Sequence, residues 1–510
     1  MQKLAIEYLQ KTKDKFPEKT AIVDEGQSIT FSELWRSSLA LAYWINTKFQ
    51  ITNQPISVNL PKFIDAVIAL LGIQLSGNIY VPLDVETPKK EKILERLGSD
   101  RMLEHVAGEF RLAGKSFTHA HDADIENSVL EKLSARKPDD PLYIIFTSGT
   151  TGIPKGVTIS NASVIDYIDW AIETYAVTET ETIGSQAPLF FDNSVLDLYL
   201  TFAQGCTLHL LSRDVLRFPA EFGTYISTHR INFIFFVPSL LSNLVALKIF
   251  KDYDLSCLKK ILFAGEAMPL NTLKLLKSGF PSALLSNLYG PTEITVDAIY
   301  WIFGDEINTL KKVPLGKPCT NHRVLFLDAQ EKWVTSDDKI AEICIAGPGV
   351  ALGYWKDTET TRDTFIANPE PGKQDEIIYK TGDLGYRSSK DGLIYMTGRN
   401  DNQFKHFGYR IEAGEIENAL NQLEFVLQSC VLYDNEKKRI QAFYTADKLE
   451  SPPPFRNLLS GILPQYMIPH SFHRLEKFPL TPNGKIDRNA ISQGKKGSDS
   501  KNERDVQHGP

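Results

Sequence analysis

The sequence predicts an α/β protein: a large N-terminal domain of buried, mostly parallel sheets with a small β-rich subdomain, then a small C-terminal α+β domain on a hinge. Short β-branched apolar runs alternate with amphipathic segments through residues 1–400, which favours parallel strands buried between helices. Between Lys311 and Tyr395 the apolar runs become closely spaced and are separated by Gly and Asp, as in a small β-rich subdomain. After Arg399 helical and strand patterns mix, which indicates a separate compact unit.

The individual elements follow from these runs in chain order. Buried strands are predicted at Leu142–Phe146, Thr207–Leu211, Phe233–Val237, Lys260–Phe263 and Ala283–Leu288. The β-rich subdomain is predicted to contain strands at Val324–Phe326, Glu342–Ile345 and Leu393–Tyr395. The last part is predicted to contain a helix at Glu415–Leu423, strands at Val426–Tyr433 and Ile440–Thr445, and a helix at Leu458–Leu463 that ends at Pro464. These elements predict a domain at 1–400, a mobile domain at 401–492 and a disordered tail at 493–510, where apolar residues are nearly absent.

Composition excludes several classes of protein. With 510 residues, of which 42% are hydrophobic and 23% charged, the chain is typical of a globular protein, and its net charge of −7 argues against non-specific nucleic-acid binding. The most apolar stretch, Ile231–Ile249, is interrupted by polar residues and Pro238, so it predicts a strand and a helix rather than a membrane span. The N-terminus lacks the pattern of a signal peptide. Five cysteines without a Cys-x-x-Cys pair predict reduced core thiols and no structural zinc. Because reduced thiols are typical of the cytoplasm, we expect a cytoplasmic protein, and we also expect a monomer.

A loop rich in Gly, Ser and Thr, Thr147–Gly156, follows the first of the predicted strands. Its glycines allow successive backbone N–H groups to converge on an anion, while the hydroxyls donate hydrogen bonds and Lys155 adds positive charge. The common P-loop ends in Gly-Lys-Ser/Thr, whereas this lysine stands three residues after Gly152. The loop is therefore predicted to hold a polyphosphate rather than to form a mere surface turn.

The same run resembles the signature of the adenylate-forming superfamily, which contains acyl-CoA synthetases, luciferases and amino-acid adenylation domains. Further blocks match that superfamily in the same order along the chain. They are Ile29–Leu34, Gly77–Asp84, Asn287–Glu293, Tyr379–Asp383, Gly398–Arg399, Gly408–Glu412 and Leu480–Arg488. The first two blocks are mainly structural in the superfamily, and the others carry residues that bind substrates.

The resemblance implies ATP and Mg²⁺ as cofactors. Tyr289 would stack on adenine, with Asn287 at the edge of the base. Thr292 would contact the α-phosphate, and Glu293 would help to hold Mg²⁺, which prefers carboxylate and phosphate oxygens. Asp383 would bind the ribose hydroxyls, with Arg399 beside the nucleotide. The full set implied for ATP is Thr147, Ser148, Gly149, Thr150, Thr151, Gly152, Lys155, Asn287, Leu288, Tyr289, Gly290, Thr292, Asp383, Arg399 and Lys485.

The resemblance also implies how catalysis is arranged. Lys485 would bridge the substrate carboxylate and the reacting phosphate, because two anions meet there and charge develops on the oxygens. Asp401 would be the hinge between the domains, and Gly408 would line the tunnel for the acceptor arm. The implied catalytic residues are Lys485, Thr147, Thr292 and Glu293.

The segment Phe190–Tyr199 distinguishes the branches of the superfamily. Amino-acid-activating members carry Phe-Asp at this place, and the aspartate pairs with the α-ammonium of the substrate, so Asp192 implies an amino-acid substrate. Fatty and aryl acids have no ammonium, and a buried unpaired carboxylate would be costly to enzymes that use them. The alternative is that Asp192 only caps the helix that follows.

By the same resemblance a mostly apolar pocket surrounds the amino-acid side chain, and a second acid in it, Asp297, favours a small or hydroxylated substrate. The implied pocket residues are Asp192, Asn193, Leu196, Phe236, Leu262, Ala264, Leu288, Val296, Asp297 and Lys485. Val195–Tyr199 also resembles D-alanine–carrier protein ligases, but Ala264 stands where those enzymes usually carry a cysteine.

The sequence therefore supports one function and leaves two alternatives open. The hypothesis is a ligase that forms aminoacyl-AMP and pyrophosphate, then transfers the aminoacyl group to the phosphopantetheine thiol of a discrete carrier protein. The alternatives are an acyl- or aryl-CoA synthetase that uses free coenzyme A, and a non-catalytic nucleotide-binding member of the fold.

Overall fold

The computed structural model describes residues 2–106, 109–117, 125–149, 153–446, 453–480, 486–488 and 490–492. The predicted site residues Thr150, Thr151, Gly152 and Lys485, and the predicted tail at 493–510, lie outside the described residues. The chain divides into two compact units. The first contains Met1–Val85, Lys90–Thr147 and Lys155–Asp401, and the second contains Glu86–Lys89, Ser148–Pro154 and Asn402–Pro510.

The first unit alternates strands and helices along its described residues. The strands are β1 (Thr20–Asp24), β2 (Gln27–Thr30), β3 (Pro55–Val58), β4 (Ile79–Pro82), β5 (Met102–Val106), β6 (Glu109–Leu112), β7 (Lys115–Ser116), β8 (Pro141–Thr147), β9 (Lys155–Ser160), β10 (Thr182–Ser185), β11 (Thr207–Leu210), β12 (Phe233–Phe236), β13 (Lys260–Phe263), β14 (Leu284–Tyr289), β15 (Ile299–Phe303), β16 (Lys317–Pro318), β17 (Arg323–Leu327), β18 (Ala341–Ala346), β19 (Gly353–Tyr354), β20 (Phe365–Ala367), β21 (Ile377–Arg387) and β22 (Ile394–Arg399). The helices are α1 (Glu7–Lys15), α2 (Phe31–Phe49), α3 (Ile64–Leu75), α4 (Lys90–Leu97), α5 (Ile125–Leu133), α6 (Asn161–Tyr175), α7 (Asn193–Gln204), α8 (Arg213–Arg217), α9 (Pro219–Thr228), α10 (Pro238–Ala246), α11 (Leu270–Gly279) and α12 (Thr358–Thr364).

Parallel strands form the centres of two sheets in the described part of this unit. One has nine strands in the order β16-β15-β14-β13-β12-β10-β11-β1-β2, and all pairs from β14 to β1 are parallel. The other has eight strands in the order β19-β9-β8-β4-β3-β5-β6-β7, and β8, β4, β3 and β5 run parallel. Antiparallel strands occupy the edges of both sheets. The predicted α/β class is confirmed, with parallel strands confined to the sheet centres.

The predicted β-rich subdomain is also present. Strands β17, β18, β21 and β20 form an antiparallel sheet in that order, and β22 pairs with β21. Long strand β21 contains Asp383, and β22 ends at Arg399, its partner in the register. The sheet therefore brings two predicted nucleotide residues side by side.

Capping residues in the sequence explain where two helices of the first unit begin. Thr30 and Glu33 form a capping box at the start of α2, in which each side chain accepts a hydrogen bond from the other residue's backbone N–H. Ser160 caps α6 by accepting from the backbone N–H of Ser163 at 3.1 Å. Helices α6 and α7 pack beside each other, and this fixes the residues of both relative to the sheets.

The nine-stranded sheet separates two apolar cores. One core contains residues of α2, α3, α6 and α7, and the other contains residues of α9, α10 and α11. Because side chains alternate along a strand, Phe235 lies in the first core and its neighbour Phe236 lies in the second.

The second unit contains β23 (Gln403–His406), β24 (Tyr409–Glu412), α13 (Ala413–Asn421), β25 (Val426–Asp434), β26 (Arg439–Ala446), α14 (Phe455–Leu459) and β27 (Ser471–Arg474). Strands β25, β26 and β27 form one sheet, and β23 pairs with β24. The helix predicted at Leu458–Leu463 is wrong, because the structure places a short helix at Phe455–Leu459 instead. Pro454 fits the start of a helix, and Ser460 and Gly461 follow its last turn.

All five cysteines are free and buried, which confirms the predicted core thiols. Along the described ranges, no helix is long and apolar enough to cross a membrane.

Candidate active site

The predicted phosphate loop begins and ends on paired strands. Thr147 is the last residue of β8 and Lys155 the first of β9, and the two are partners in the antiparallel register. The Thr147 hydroxyl is buried, and none of the described residues forms a hydrogen bond with it. A buried hydroxyl without a partner costs about 1–3 kcal/mol, so such a group is expected to meet a ligand or a water. Ser148 and Gly149 follow Thr147 in the chain and belong to the second unit.

Tyr354 connects the loop lysine to the predicted metal ligand. The Lys155 ammonium lies 5.6 Å from the centre of the Tyr354 ring, within the range of a cation–π contact. The Tyr354 hydroxyl donates a hydrogen bond to Glu293 Oε1 at 2.8 Å, and the Glu293 side chain is fully buried. The position of Tyr354 depends on the pairing of β19 with β9. Sequence reasoning did not single out Tyr354, since it lies far along the chain from both partners.

The predicted adenine and ribose residues are in direct contact. The Tyr289 hydroxyl donates a hydrogen bond to Asp383 Oδ2, and Arg399 donates to Asp383 Oδ1. Burial, followed by the negative charge of Asp383, raises the pKa of Tyr289 well above its usual value, so this hydroxyl stays a donor. The Arg399 guanidinium also forms two hydrogen bonds to Asp401, at 2.6 and 2.7 Å. The predicted hinge residue is thus joined to the ribose residue through one arginine.

Asn287 and Gly290, in the same block, have structural roles in the described fold. Asn287 Nδ2 donates to the Pro314 carbonyl at 2.8 Å, which holds β14 against the chain that follows β15. A Cβ atom on Gly290 would lie 2.2 Å from the Val296 carbonyl oxygen and 2.5 Å from Asp297 Cα. Only glycine fits there. Because Gly290 has no side chain, the predicted nucleotide block can pack directly against the backbone of two predicted pocket residues, Val296 and Asp297.

Asp192 lies at the start of α7, and its side chain forms no capping hydrogen bond with that helix. The alternative interpretation as a mere helix cap is therefore wrong. Asp192 is buried, and its negative charge is one of the influences that raise the pKa of Tyr143, after burial itself. Tyr143 is fully buried on β8, and its hydroxyl has no hydrogen-bond partner within the described ranges.

Most of the predicted pocket residues belong to one core. Leu196, Leu262, Ala264, Leu288 and Val296 all lie in the first core. Asp297 is also buried, and Asn193 is half-buried at the first turn of α7. These residues lie on α7, on β13 and directly after it, and on β14 and the segment that follows it.

The prediction that Phe236 lies in the pocket needs correction. It packs in the second core, with its ring centre 6.0 Å from that of Phe222, and is therefore on the other side of the sheet. Phe235 lies in the first core with the pocket residues. Both residues are apolar and both are buried, so the sequence pattern alone could not decide which one faces the pocket.

Gly408, predicted to line the acceptor tunnel, lies in the second unit at the turn between β23 and β24. Phe407 and Gly408 have φ values of 50° and 83°, as expected for a tight two-residue hairpin turn.

Comparison with known proteins decides the family. The family of AMP-binding enzymes matches residues 9–355, from α1 to the residue after β19. The chain belongs to this family. The AMP-binding enzyme is 31% identical over 510 residues to the D-alanine–D-alanyl carrier protein ligase of Bacillus cytotoxicus, covering 95% of this chain and 98% of that protein. It is 32% identical over 498 residues to tyrocidine synthase 1 of Brevibacillus parabrevis, of which it spans 44%.

Solved structures agree on the fold. The adenylation domain AlmE of Vibrio cholerae, in complex with glycyl-adenosine-5′-phosphate, superposes with a TM-score of 0.83 at 19% identity, covering 97% of this chain and 98% of that one. The protein PA1221, which contains adenylation and carrier domains, gives a TM-score of 0.81 at 23% identity, covering 96% of this chain and 84% of that one. This AMP-binding enzyme is therefore an adenylate-forming ligase of the type that includes nonribosomal adenylation domains and D-alanine–carrier protein ligases.

Proposed function

We propose that this AMP-binding enzyme activates an amino acid with ATP and transfers it to the phosphopantetheine thiol of a separate carrier protein. The observation that carries the proposal is the position of Asp192, a buried carboxylate that directly precedes α7, the helix that carries Asn193 and Leu196. A carboxylate beside an apolar pocket suits an α-ammonium, because burial strengthens the attraction between the two charges. Similarity to a carrier protein ligase over 95% of the chain supports the acceptor.

In the first half-reaction, a carboxylate oxygen of the amino acid attacks the α-phosphorus of ATP. The bond from that phosphorus to the bridging oxygen breaks, which gives aminoacyl-AMP and pyrophosphate. Tyr289 supports adenine, and Asp383, held by Tyr289 and Arg399, receives the ribose hydroxyls. Thr147 and Lys155 bind the phosphates, and the Thr147 hydroxyl, which meets no hydrogen-bond partner among the described residues, is suited to donate to a phosphate oxygen.

The residues present fit a magnesium ion that is shared with ATP. Across the described residues, no group of three or more His, Cys, Asp or Glu side chains could hold a metal by itself. Mg²⁺ is usually bound through one or two carboxylates together with phosphates and water. Glu293 is the carboxylate proposed to hold it, and Tyr354 orients that side chain by hydrogen bonding. When bound, the ion neutralises phosphate charge, and Thr292 is proposed to contact the α-phosphate.

In the second half-reaction, the carrier thiol attacks the carbonyl carbon of the mixed anhydride, a thioester forms and AMP leaves. We assign Lys485 to the first step only, and Asp401 to the hinge about which a mobile domain at 401–492 rotates between the steps. Gly408 is proposed to line the path of the phosphopantetheine arm. The Arg399–Asp401 contact supports a hinge that is linked to the nucleotide residues.

The pocket supports a small amino-acid side chain, with Phe235 taking the place that sequence reasoning gave to Phe236. Phe235, Leu262 and Leu288 are almost fully buried in one core and limit its volume. Asp297 adds an acceptor for a hydroxyl. The five buried free thiols support a reducing compartment, and we propose a cytoplasmic monomer.

A pyrophosphate-exchange panel tests the proposed function. Purified enzyme is incubated with ATP, Mg²⁺, labelled pyrophosphate and single acids from sets of L-, D- and β-amino acids, fatty acids and aryl acids. Exchange stimulated by one or a few small amino acids is expected. Exchange with a fatty or aryl acid and with no amino acid would establish a CoA synthetase instead, and ATP binding without any exchange would establish a non-catalytic protein.

A further inference from the structure

A buried tyrosine of α6 contacts the second acid of the pocket. The Tyr167 hydroxyl donates a hydrogen bond to Asp297 Oδ2 at 3.0 Å, and both side chains are only 1% exposed. This contact could not be predicted from sequence, since the two residues are 130 positions apart. No role in the proposed reaction has been assigned to Tyr167.

The backbone that carries Asp297 is strained and firmly held. Thr295 and Val296 are β-branched residues with φ values of 57° and 71°, a region that such residues rarely occupy. The Thr295 hydroxyl donates to the Gly349 carbonyl at 2.8 Å, and the Gly349 backbone N–H donates to His322 Nε2 at 3.2 Å. Gly290 packs against the same segment from the nucleotide side. The position of the Asp297 backbone is therefore determined from several directions.

Helix α6 holds this region through two neighbouring residues. Tyr167 binds Asp297, and Asp166 accepts a hydrogen bond from Asn321 Nδ2 at 2.8 Å. Asn321 precedes His322, which holds the strained segment through Gly349. The helix thus fixes both the Asp297 carboxylate and the backbone near it.

Protonated groups surround the Asp297 carboxylate. Burial, and then the charge of Asp297, raises the pKa of Tyr167 well above its usual value, and the charge of Asp297 also contributes to the raised pKa values of Cys319 and Tyr175. A carboxylate in an apolar core is stable only when donors satisfy it. The Tyr167 hydroxyl is such a donor, and a carboxylate has acceptor sites for more than one.

We propose that Tyr167 is a specificity-determining residue that orients the Asp297 carboxylate toward the amino-acid side chain, so that the pocket selects small amino acids with a side-chain hydroxyl or amino donor. This inference rests on the proposed function. Tyr167 acts through Asp297 and is a positioning residue, whereas Asp297 is the group that meets the substrate.

Three variants test this role. Tyr167→Phe removes the hydroxyl that binds Asp297. Tyr8→Phe is the matched control, because it also removes a buried tyrosine hydroxyl that donates to an aspartate, in this case Asp169 of α6. Asp297→Asn keeps the shape of the acid and removes its charge. For each variant kcat/KM is measured by pyrophosphate exchange with the pairs serine and alanine, threonine and valine, and 2,3-diaminopropionate and 2-aminobutyrate.

In Tyr167→Phe the preference for the donor-bearing member of each pair is expected to fall by about tenfold or more, as when a hydrogen bond to a charged group is lost. The loss is expected in the KM for the donor-bearing amino acid, while kcat for its apolar counterpart stays within about twofold, because the hydrogen bond positions a binding group. Asp297→Asn should lose the preference as well, and Tyr8→Phe should keep it within about twofold.

The outcomes separate this inference from the function on which it rests. If the wild-type enzyme activates amino acids and Tyr167→Phe keeps both the wild-type preference and the wild-type KM values, the inference is wrong and the proposed function stands. An unchanged preference in Asp297→Asn would also overturn it, even if Tyr167→Phe does not fold. If no amino acid supports exchange by the wild-type enzyme, the proposed function fails and the inference fails with it.

Discussion

In the proposed function, a single carboxylate, Asp192, distinguishes an amino-acid pocket from an acyl pocket. Asp192→Asn is expected to lower kcat/KM for the best amino acid by about 100-fold, since a buried charge pair is worth roughly 3 kcal/mol when one partner is removed. ATP affinity should change little, because the proposed adenine and ribose residues lie on β14, β21 and β22 and the proposed phosphate residues on β8 and β9, none of them on α7. The measurement is exchange kinetics with ATP and the amino acid varied in turn.

The exposed Asp305→Asn variant is the control for Asp192, since it removes one aspartate charge from the surface. Equal kinetics for Asp192→Asn and Asp305→Asn would contradict the assignment of the α-ammonium to Asp192. A larger loss of ATP affinity than of amino-acid affinity would contradict it as well.

Asp197, five residues further along α7, gives the fold a dependence on pH. Its side chain is fully buried, and burial raises its pKa to about 7, partly opposed by the positive charge of Lys62. In the unfolded chain the pKa returns to about 3.9, so the folded state binds more protons between pH 4 and 7. The free energy of unfolding therefore falls as the pH rises through this window.

Asp197→Asn removes that dependence. Between pH 5 and 7 the wild-type enzyme is expected to lose up to about 2 kcal/mol of stability relative to Asp197→Asn, which urea unfolding at both pH values measures. A stability difference between the two proteins that is the same at pH 5 and 7 would show that Asp197 is already ionised at pH 5.

At the scale of elements, the close approach of Gly290 to the strained segment joins the nucleotide block to the pocket. Gly290→Ala is expected to lower the free energy of unfolding by about 2–4 kcal/mol, because its Cβ would meet backbone atoms that cannot move without shifting Val296 and Asp297. Thermal unfolding measures the loss, and the KM for the amino acid should rise in the protein that remains folded.

Gly461→Ala is the matched control, because a Cβ there meets no atom within 4 Å. It is expected to change stability by less than about 1 kcal/mol. If both variants lower the free energy of unfolding by the same amount, the close contact between Gly290 and the pocket segment does not explain the loss of stability.

Local sequence patterns predicted a strand correctly where one segment carried enough information to define it. The strand entering Thr147–Gly156 and the strand ending at Tyr289 were predictable because each combines a buried apolar run with a characteristic block. The contacts of Tyr354 and Tyr167 were not predictable, since each joins residues that only the sheet order or helix packing brings together. Phe235 and Phe236 could not be distinguished, because a strand buried on both faces has no polar side to set its register.

At the scale of the whole molecule, the proposed mechanism divides the two half-reactions between two residues. Lys485→Ala is expected to lower adenylate formation by at least about 100-fold, while transfer from supplied aminoacyl-AMP to the carrier thiol continues. Asp401→Pro is expected to do the reverse, because proline fixes φ at the proposed hinge. Pyrophosphate exchange measures the first step, and thioester formation on a phosphopantetheinylated carrier protein measures the second.

The contrast between the two variants is the decisive result. Equal loss of both half-reactions in Lys485→Ala would contradict its restriction to adenylate formation. Full thioester formation by Asp401→Pro would contradict the hinge, and the chain would then have to complete both steps in one arrangement.

The sheet that separates the two cores has a practical consequence for protein engineering. Phe235 and Phe236 are adjacent in the chain, yet each packs among a different set of neighbours. In the proposed pocket, smaller or larger side chains at position 235 would change the room available to an amino acid while the packing of Phe236 against Phe222 stays intact. Libraries aimed at a new substrate range can therefore vary this strand at one position and leave its neighbour as a fixed anchor.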